Sequence, residues 1–265
     1  MLPKIELVRC QDADYLLLST DDAISNHLRH RGTWEPHLVA ISRMFVQGTV
    51  TPLVLDVGAN LGAYAIPLAK ALDSANGSIY AYEAQRIVYY QLCGNIFLNS
   101  LDNVFAACIA IGDRDGSISI PGLDFAKTRN VGGFSLVDDI RQKTDYVVLH
   151  ADKPPIETPM SRLDSLSFPK PPNLIKIDVE GYDLKVLTGG ENLLESSNFP
   201  PILFEAWDFD WFKADKAQLF SYLHHLGYET TAIFADDYVA QHPRHAVHID
   251  FVTGGNGRFN MTRVR

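Results

Sequence analysis

The sequence predicts an α/β protein whose core is a doubly wound, mostly parallel sheet of seven strands with an antiparallel last strand. Short apolar runs of strand length alternate with longer segments of helical periodicity, as expected for repeated βαβ units. The first core run, Leu53–Val57, ends in a glycine-rich turn and leads into a helical pattern, which is the Rossmann-like strand–turn–helix arrangement. Acidic residues follow several later runs, where parallel strands would end.

Length and charge narrow the class of protein further. The chain has 265 residues, a net charge of −9 and 46% hydrophobic residues, which suits one large domain with a short extension. Basic residues do not cluster on the scale needed to neutralise many phosphates, so no nucleic-acid partner is expected. Three scattered cysteines, no apolar signal core and no run of bilayer length predict a cytoplasmic protein without a membrane partner.

Residues 1–50 are predicted to form an N-terminal extension that packs on the core beside the ligand site or over it. Alternating residues indicate a hairpin, and capping acids followed by a glycine and a proline indicate two helices. The expected elements are strands Lys4–Arg9 and Tyr15–Ser19, a helix from Asp22 to about His30, and a helix Pro36–Phe45.

Residues 51–265 are predicted to form the main domain. After Leu53–Val57 its strands are expected at Ser78–Glu83, Val104–Gly112, Leu174–Glu180, Pro201–Asp208, Tyr228–Phe234 and His248–Thr253, with helices between them, including one from Tyr182 to about Ser196. Residues 121–160 are rich in proline and glycine and are too short to bury a core, so they are predicted to be a mobile insertion that contributes to acceptor selection. The segment 235–246 is predicted to be a loop at the ligand-binding rim.

The glycine turn indicates a ligand-binding cradle. Gly58 and Gly62 carry no Cβ, which permits close approach of a ligand to the backbone. Asn60 occupies the position at which the dinucleotide fingerprint has its second glycine. Glu83 ends the next strand, where a carboxylate can accept hydrogen bonds from both hydroxyls of a ribose. Proteins that bind NAD also have an acid there, and an ordinary tight turn remains an alternative for the glycines.

The motif Asp56-x-Gly58-x-Asn60-x-Gly62 resembles the first motif of class I S-adenosylmethionine (SAM) methyltransferases. Together with the blocks Tyr80–Glu83, Ser161–Asp164, Ile175–Gly181 and Ile202–Glu205, it makes residues 30–235 similar to the FkbM family of SAM-dependent methyltransferases. The resemblance implies SAM as cofactor and methyl transfer, typically to a hydroxyl oxygen of a small molecule such as a sugar or polyketide. The alternatives are an NAD-linked oxidoreductase and a non-catalytic SAM-binding scaffold.

The candidate site residues lie mainly at the ends of the predicted parallel strands, which meet at one edge of a sheet. The candidates for cofactor binding are Glu35, Asp56, Gly58, Asn60, Gly62, Glu83, Asp113 and Asp178. The candidates for catalysis, which for a hydroxyl acceptor includes proton removal, are Asp178, Glu180, Glu205 and His242.

The neighbouring carboxylates admit two mechanisms and a structural alternative. On an extended strand Asp178 and Glu180 would point the same way, and Glu205 would approach from the next strand. Carboxylates so close raise one another's pKa values unless a cation neutralises them. The candidates for that cation are Lys176, a histidine and a divalent metal such as Mg²⁺. A base mechanism without a metal is only slightly favoured over metal ligation. In the structural alternative, these acids form a buried charge pair with Lys176.

Overall fold

The computed structural model describes residues 2–72, 75–150, 152–253 and 259–264. Its strands are β1 (Ile5–Arg9), β2 (Asp14–Leu18), β3 (Leu53–Val57), β4 (Ser78–Glu83), β5 (Val104–Cys108), β6 (Ala110–Ile111), β7 (Gly116–Ile120), β8 (Ile156–Ser161), β9 (Leu174–Ile177), β10 (Ile202–Glu205), β11 (Glu229–Phe234), β12 (Asp237–Gln241), β13 (Ile249–Thr253) and β14 (Phe259–Arg263). Its helices are α1 (Ala23–Arg31), α2 (Pro36–Val46), α3 (Ala65–Leu72), α4 (Arg86–Leu98), α5 (Asp138–Lys143), α6 (Asp183–Thr188), α7 (Glu191–Ser196) and α8 (Lys213–His225), with a 3₁₀ turn at Leu163–Ser165.

Seven strands form the main sheet in the order β11-β12-β10-β9-β3-β4-β5. Every pairing is parallel except those of β12, which runs antiparallel to β10 and to β11. The central strand β3 is buried along its whole length, because apolar side chains cover both faces of the sheet. The predicted sheet of seven strands with one antiparallel member is therefore confirmed.

The identity of the antiparallel strand differs from the prediction. Phe234 pairs directly with Asp237, and Ala235 has a positive φ of 48°, so the chain reverses in a tight turn at the expected loop. The segment that was expected to be a rim loop therefore contains strand β12, which takes up five of its residues. The predicted last strand exists as β13, but it pairs with β14 in a separate hairpin.

Two predicted elements are divided in the structure. The expected strand at 104–112 leaves the main sheet after β5, and β6 continues it in a small sheet of order β6-β8-β7. The expected helix at 182–196 is interrupted between α6 and α7. A Cβ on Gly189 would lie 1.9 Å from the carbonyl oxygen of Gly112, so only glycine permits this approach of the two chain segments.

The segments outside the main sheet pack against it in two places. The predicted N-terminal hairpin is present as β1 and β2, and β2 contacts α4. Residues 121–160 contain α5 and most of β8, and their side chains Leu123, Phe125, Val131 and Phe134 share an apolar cluster with Leu18 and Val88. Within this segment Leu149 forms an isolated antiparallel bridge to Leu123. Within the described ranges, no helix has the length and apolar character needed to cross a bilayer.

Candidate active site

A cavity of about 280 Å³ opens at the carboxyl ends of β3, β4, β9 and β10. This is the edge at which open parallel sheets bind ligands. Its polar lining residues are Trp34, Glu35, Asn60, Tyr64, Tyr82, Glu83, Gln85, Asn130, Lys176, Asp178, Glu180 and Glu205. Seven of the sequence-predicted site residues thus lie together in its wall: Glu35, Gly58, Asn60, Glu83, Asp178, Glu180 and Glu205.

Gly58 allows two strand ends to meet under the cavity. Its φ is 84°, and a Cβ there would lie 1.8 Å from the carbonyl oxygen of Asp178. No other residue type fits this left-handed backbone and this contact at once. The glycine therefore brings the end of β3 against the residue that follows β9, which places both in the same cavity wall.

The N–H groups of the glycine turn are all hydrogen-bonded within the protein. Those of Gly58 and Ala59 donate to the Tyr82 carbonyl oxygen at 2.9 Å, and that of Asn60 donates to Glu83 Oε2 at 3.0 Å. The next two N–H groups, of Leu61 and Gly62, donate to Asn60 Oδ1 and to the Ala59 carbonyl oxygen. A pyrophosphate needs free backbone N–H groups at such a turn. The turn therefore favours a ligand without phosphate at this position.

Gly62 does not line the cavity, in contrast to the expectation that a ligand approaches its backbone. A Cβ there would lie 2.8 Å from Ile66 Cδ1 and 2.9 Å from Leu92 Cδ1. The glycine therefore permits tight packing of α3 against α4, and its place in the motif has a structural reason.

We expect Gly62→Ala to lower the melting temperature clearly more than Gly48→Ala, as measured by thermal unfolding. Both positions have positive φ, 93° and 77°, so alanine strains both backbones. Nothing lies within 4 Å of a Cβ at Gly48, so the difference isolates the overpacking at Gly62, about 1–3 kcal/mol. Equal melting temperatures of the two variants would contradict this packing role.

Glu83 lies at the end of β4 with 7% of its surface exposed. Its carboxylate accepts hydrogen bonds from the N–H groups of Asn60 at 3.0 Å and Gln85 at 2.7 Å. Burial raises its pKa to about 7 despite these two bonds. Each carboxylate oxygen retains capacity to accept a further hydrogen bond from a ligand hydroxyl.

Among the residues that the structure describes, Lys176 is the sole cation in the lining of this cavity, and its side chain is 6% exposed. Its Nζ donates to Asp178 Oδ2 at 3.0 Å and lies 3.7 Å from Asp56 Oδ1. Burial disfavours the charged form, but the carboxylates of Asp178, Asp56 and Glu35 outweigh burial and raise the pKa of Lys176. Lys176 is therefore a fixed positive charge in an otherwise acidic wall.

The carboxylates of Asp178, Glu180 and Glu205 meet in the cavity, but not as neighbours on an extended strand. β9 ends at Ile177, and Glu180 has a φ of 55°, so a turn carries Glu180 to the wall. Glu205 accepts a hydrogen bond from Trp207 Nε1 at 2.8 Å. Within the described part of the chain, the Glu180 carboxylate accepts no hydrogen bond. Burial, followed by the Asp178 charge, raises the pKa of Glu180 and of Glu205 well above the usual range.

Glu35 reaches the cavity from the N-terminal extension. It is the residue before α2 and has a positive φ of 43°, a conformation that is unfavourable for glutamate. Burial and the neighbouring Asp178 raise its pKa to about 8, although Lys176 opposes this shift. A strained residue that points an acid into a cavity is typical of a functional position.

Besides Gly62, three predicted site residues lie outside the cavity wall. Asp56 is fully buried beneath it beside Lys176, where burial raises its pKa to about 6. Asp113 binds Lys185 Nζ at 2.7 Å near the surface. His242 follows β12 at the amino edge of the parallel strands, the edge opposite the cavity, and stacks on Phe199 with ring centroids 4.1 Å apart. The structure thus does not bring Asp113 or His242 to the other candidates.

Several lining residues were not selected from the sequence. Gln85 follows the Glu83 position, and Asn130, Gly132 and Phe134 come from the 121–160 segment. The run of asparagine and glycine at 130–133 was the available signal, since such runs form turns that bring the backbone close to a neighbour. No periodicity indicates which cavity such a turn faces.

No group of three or more histidine, cysteine, aspartate or glutamate side chains is arranged to hold a metal ion in the part of the chain that the structure describes. Lys176 lies beside these acids, and its Nζ donates to Asp178 Oδ2 at 3.0 Å. This arrangement gives Asp178 a cationic partner within the chain.

The strand order and a cavity at the carboxyl edge define a Rossmann-like α/β protein of the methyltransferase type. The family model for the methyltransferase FkbM domain matches residues 56–230, and the chain belongs to this family. No curated protein matches the chain.

Solved structures with similar folds are distant in sequence. Methyltransferase FkbM from Methylobacillus flagellatus KT is 17% identical with a TM-score of 0.47, and the match covers 81% of this chain and 51% of that protein. The Pyrococcus abyssi tRNA (uracil-54, C5)-methyltransferase, in complex with S-adenosyl-L-homocysteine, is 12% identical with a TM-score of 0.45. The match covers 89% of this chain and 43% of that protein. Precorrin-6y C5,15-methyltransferase from Geobacter metallireducens GS-15 is 13% identical, with a TM-score of 0.42 and 87% coverage of both chains. This chain thus spans about half the length of the first two.

Proposed function

We propose that the protein is a SAM-dependent methyltransferase that transfers a methyl group to a hydroxyl oxygen of a small molecule. The observation that carries the proposal is the buried Glu83 carboxylate beside a glycine turn whose N–H groups are already hydrogen-bonded. Such a site suits a ribose that is not followed by a pyrophosphate. This disfavours the NAD-linked alternative.

The cavity residues fit the parts of SAM in chemical terms. Glu83 would accept hydrogen bonds from the ribose hydroxyls, and Lys176 would pair with the carboxylate of the methionine part. Asp178 would supply negative charge for its ammonium group and for the sulfonium, and Glu35 would accept a hydrogen bond from the ammonium group. When bound, SAM supplies an activated methyl group with a good leaving group.

Glu180 is the residue that we assign to proton removal from the acceptor hydroxyl. Unlike Asp178 and Glu205, it has no hydrogen-bond donor committed to its carboxylate within the described residues, and its raised pKa makes it a stronger proton acceptor than an ordinary carboxylate. Asp178 is held by Lys176, so its function is to fix local charge. The apolar part of the wall excludes water from the reaction.

Calorimetry with SAM, S-adenosylhomocysteine (SAH) and NAD⁺ tests the cofactor assignment. We expect SAM and SAH to bind and NAD⁺ not to bind, and we expect methyl transfer in a panel of sugars and polyketides. NAD⁺ binding without SAM binding would overturn the proposal. SAM binding without transfer to any member of the panel would support the non-catalytic alternative. A cytoplasmic location, a small-molecule acceptor and a domain boundary near residue 50 stay predictions.

A further inference from the structure

Two segments outside the main sheet together form part of the cavity wall, and we call them its cover. Ile24, Trp34 and Glu35 of the N-terminal extension contribute one part. The segment 130–136 contributes the adjoining part with Asn130, Gly132, Phe134 and Leu136, and a Cβ on Gly132 would lie 3.2 Å from Ile24 Cδ1. We call this second segment, with Arg129, the strap (residues 129–136). The family match begins at residue 56, so the first part of the cover lies outside the matched region.

Asp22 joins the two segments through both of its carboxylate oxygens. Oδ2 accepts a hydrogen bond from the Ser25 N–H at 2.9 Å and caps α1. Oδ1 accepts a hydrogen bond from the Val131 N–H at 2.8 Å. The Ala23 N–H adds a bond to the Arg129 carbonyl oxygen at 2.8 Å. Asp22 is 4% exposed, so these are buried bonds to a charged acceptor, which are stronger than bonds between neutral groups.

The strap is tied to the core on its other side. The Val131 carbonyl oxygen accepts a hydrogen bond from Gln85 Nε2 at 3.0 Å, two residues after Glu83. A Cβ on Gly132 would lie 1.8 Å from Asn60 Nδ2, so the strap backbone rests on the glycine turn. The peptide groups of Val131 thus link the extension to the wall that surrounds Glu83.

The size of the cavity makes this cover relevant to ligand exchange. Its volume of about 280 Å³ is at the low end of small-molecule sites, and SAM together with an acceptor requires more space. We therefore expect the cover to shift when both ligands are bound. We propose that Asp22 is a positioning residue that makes the extension and the strap open as one cover and thereby sets the rate of cofactor exchange. This inference rests on the proposed function.

The Asp22→Asn variant tests this coupling, because asparagine has one acceptor oxygen and cannot serve both N–H groups as a carboxylate does. The probe is SAH, and its dissociation rate is measured by stopped-flow tryptophan fluorescence, since Trp34 lines the cavity. We expect the rate to rise tenfold or more. The control is Asp21→Asn, which removes the same charge one residue earlier from an exposed carboxylate that binds only Asn26 Nδ2 in the described contacts. We expect the control to match the wild type.

A second variant loosens the same cover from the opposite side. In Gly132→Ala the added methyl displaces the strap from Asn60, and we expect faster SAH release here too. If the cover is one unit, the double variant will release SAH about as fast as the faster single variant. Independent segments would instead give the product of the two rate increases.

The remaining outcomes distinguish failure of the coupling from failure of the proposed function. An unchanged dissociation rate in Asp22→Asn, even with a lower melting temperature, would overturn the coupling and leave Asp22 as a helix cap. Multiplying rates in the double variant would also overturn it. If SAH does not bind the wild type at all, the proposed function fails, and this result is distinct from failure of the coupling.

Discussion

The Glu180→Gln variant is expected to bind SAM almost as tightly as the wild type and to turn over about a hundredfold more slowly or worse. Glutamine keeps the volume of the side chain and cannot accept the proton of an acceptor hydroxyl, and positioned bases contribute about 10²–10⁴-fold. The measurement is kcat with a saturating acceptor, together with calorimetry for SAM. The matched control is Glu157→Gln, an exposed glutamate on β8.

The rate of this reaction is expected to increase with pH. Since burial raises the pKa of Glu180, the carboxyl is protonated at low pH and cannot act as a base. Activity should therefore increase as pH rises through the raised pKa, and the increase should be absent from the residual activity of Glu180→Gln. If Asp178→Asn and Glu180→Gln both keep normal turnover, these acids are structural. Activity that is lost on chelation and restored by Mg²⁺ would show that these acids are metal ligands.

Replacing Glu83 by glutamine is expected to weaken SAH binding by about a hundredfold. Hydrogen bonds to a charged group contribute about 1.5–3 kcal/mol each, and the ribose offers two hydroxyls. Calorimetry with SAH and with its 2′-deoxy analogue measures this directly. The deoxy analogue should bind the wild type more weakly than SAH does, and this difference should shrink in Glu83→Gln. A difference that persists would place the ribose elsewhere.

Glu83 should also make stability depend on pH. Its folded pKa of about 7 is above the ordinary value of 4.5, so the folded state binds more protons than the unfolded state between these values. Its contribution to the free energy of unfolding therefore falls as pH rises from about 4.5 to 7, by roughly 1.4 kcal/mol per pKa unit. The fall should be smaller in Glu83→Gln. The carboxylate that we assign to cofactor binding therefore destabilises the folded protein when no cofactor is bound.

The core of the fold was predictable because its signals are local. The run Leu53–Val57 is apolar throughout and ends at a glycine, so both its strand character and its end are visible in the sequence. The same holds for Ser78–Glu83, and these two strands place Gly58 and Glu83 in the cavity as expected. The Gly189-Gly190 pair was an equally local signal for the break between α6 and α7, and the helical periodicity of the surrounding residues concealed it.

The predictions that were wrong concern features that depend on partners elsewhere in the fold. The pairing of β12 with β10 converts an expected loop into a strand and moves the chain after Gln241 to the far edge of the sheet, which removes His242 from the site. The motif position of Gly62 indicated ligand contact, but its neighbours Ile66 and Leu92 give it a packing role. Asp113 follows a strand that leaves the main sheet, so its position after an apolar run was misleading.

The packing of α2 under the β13–β14 hairpin has a consequence for synthesis of the protein. Leu38, Ile41 and Phe45 share one apolar cluster with Val247 and Ile249, and Arg263 Nη1 donates to the Met44 carbonyl oxygen across 219 residues of chain. At about 5–20 residues per second, α2 leaves the ribosome roughly 10–40 s before the residues that cover it. During that interval the part of α2 that the hairpin covers stays exposed, and exposed apolar surface is what chaperones bind, so we expect yield in cells to depend on them more than refolding of the complete chain does.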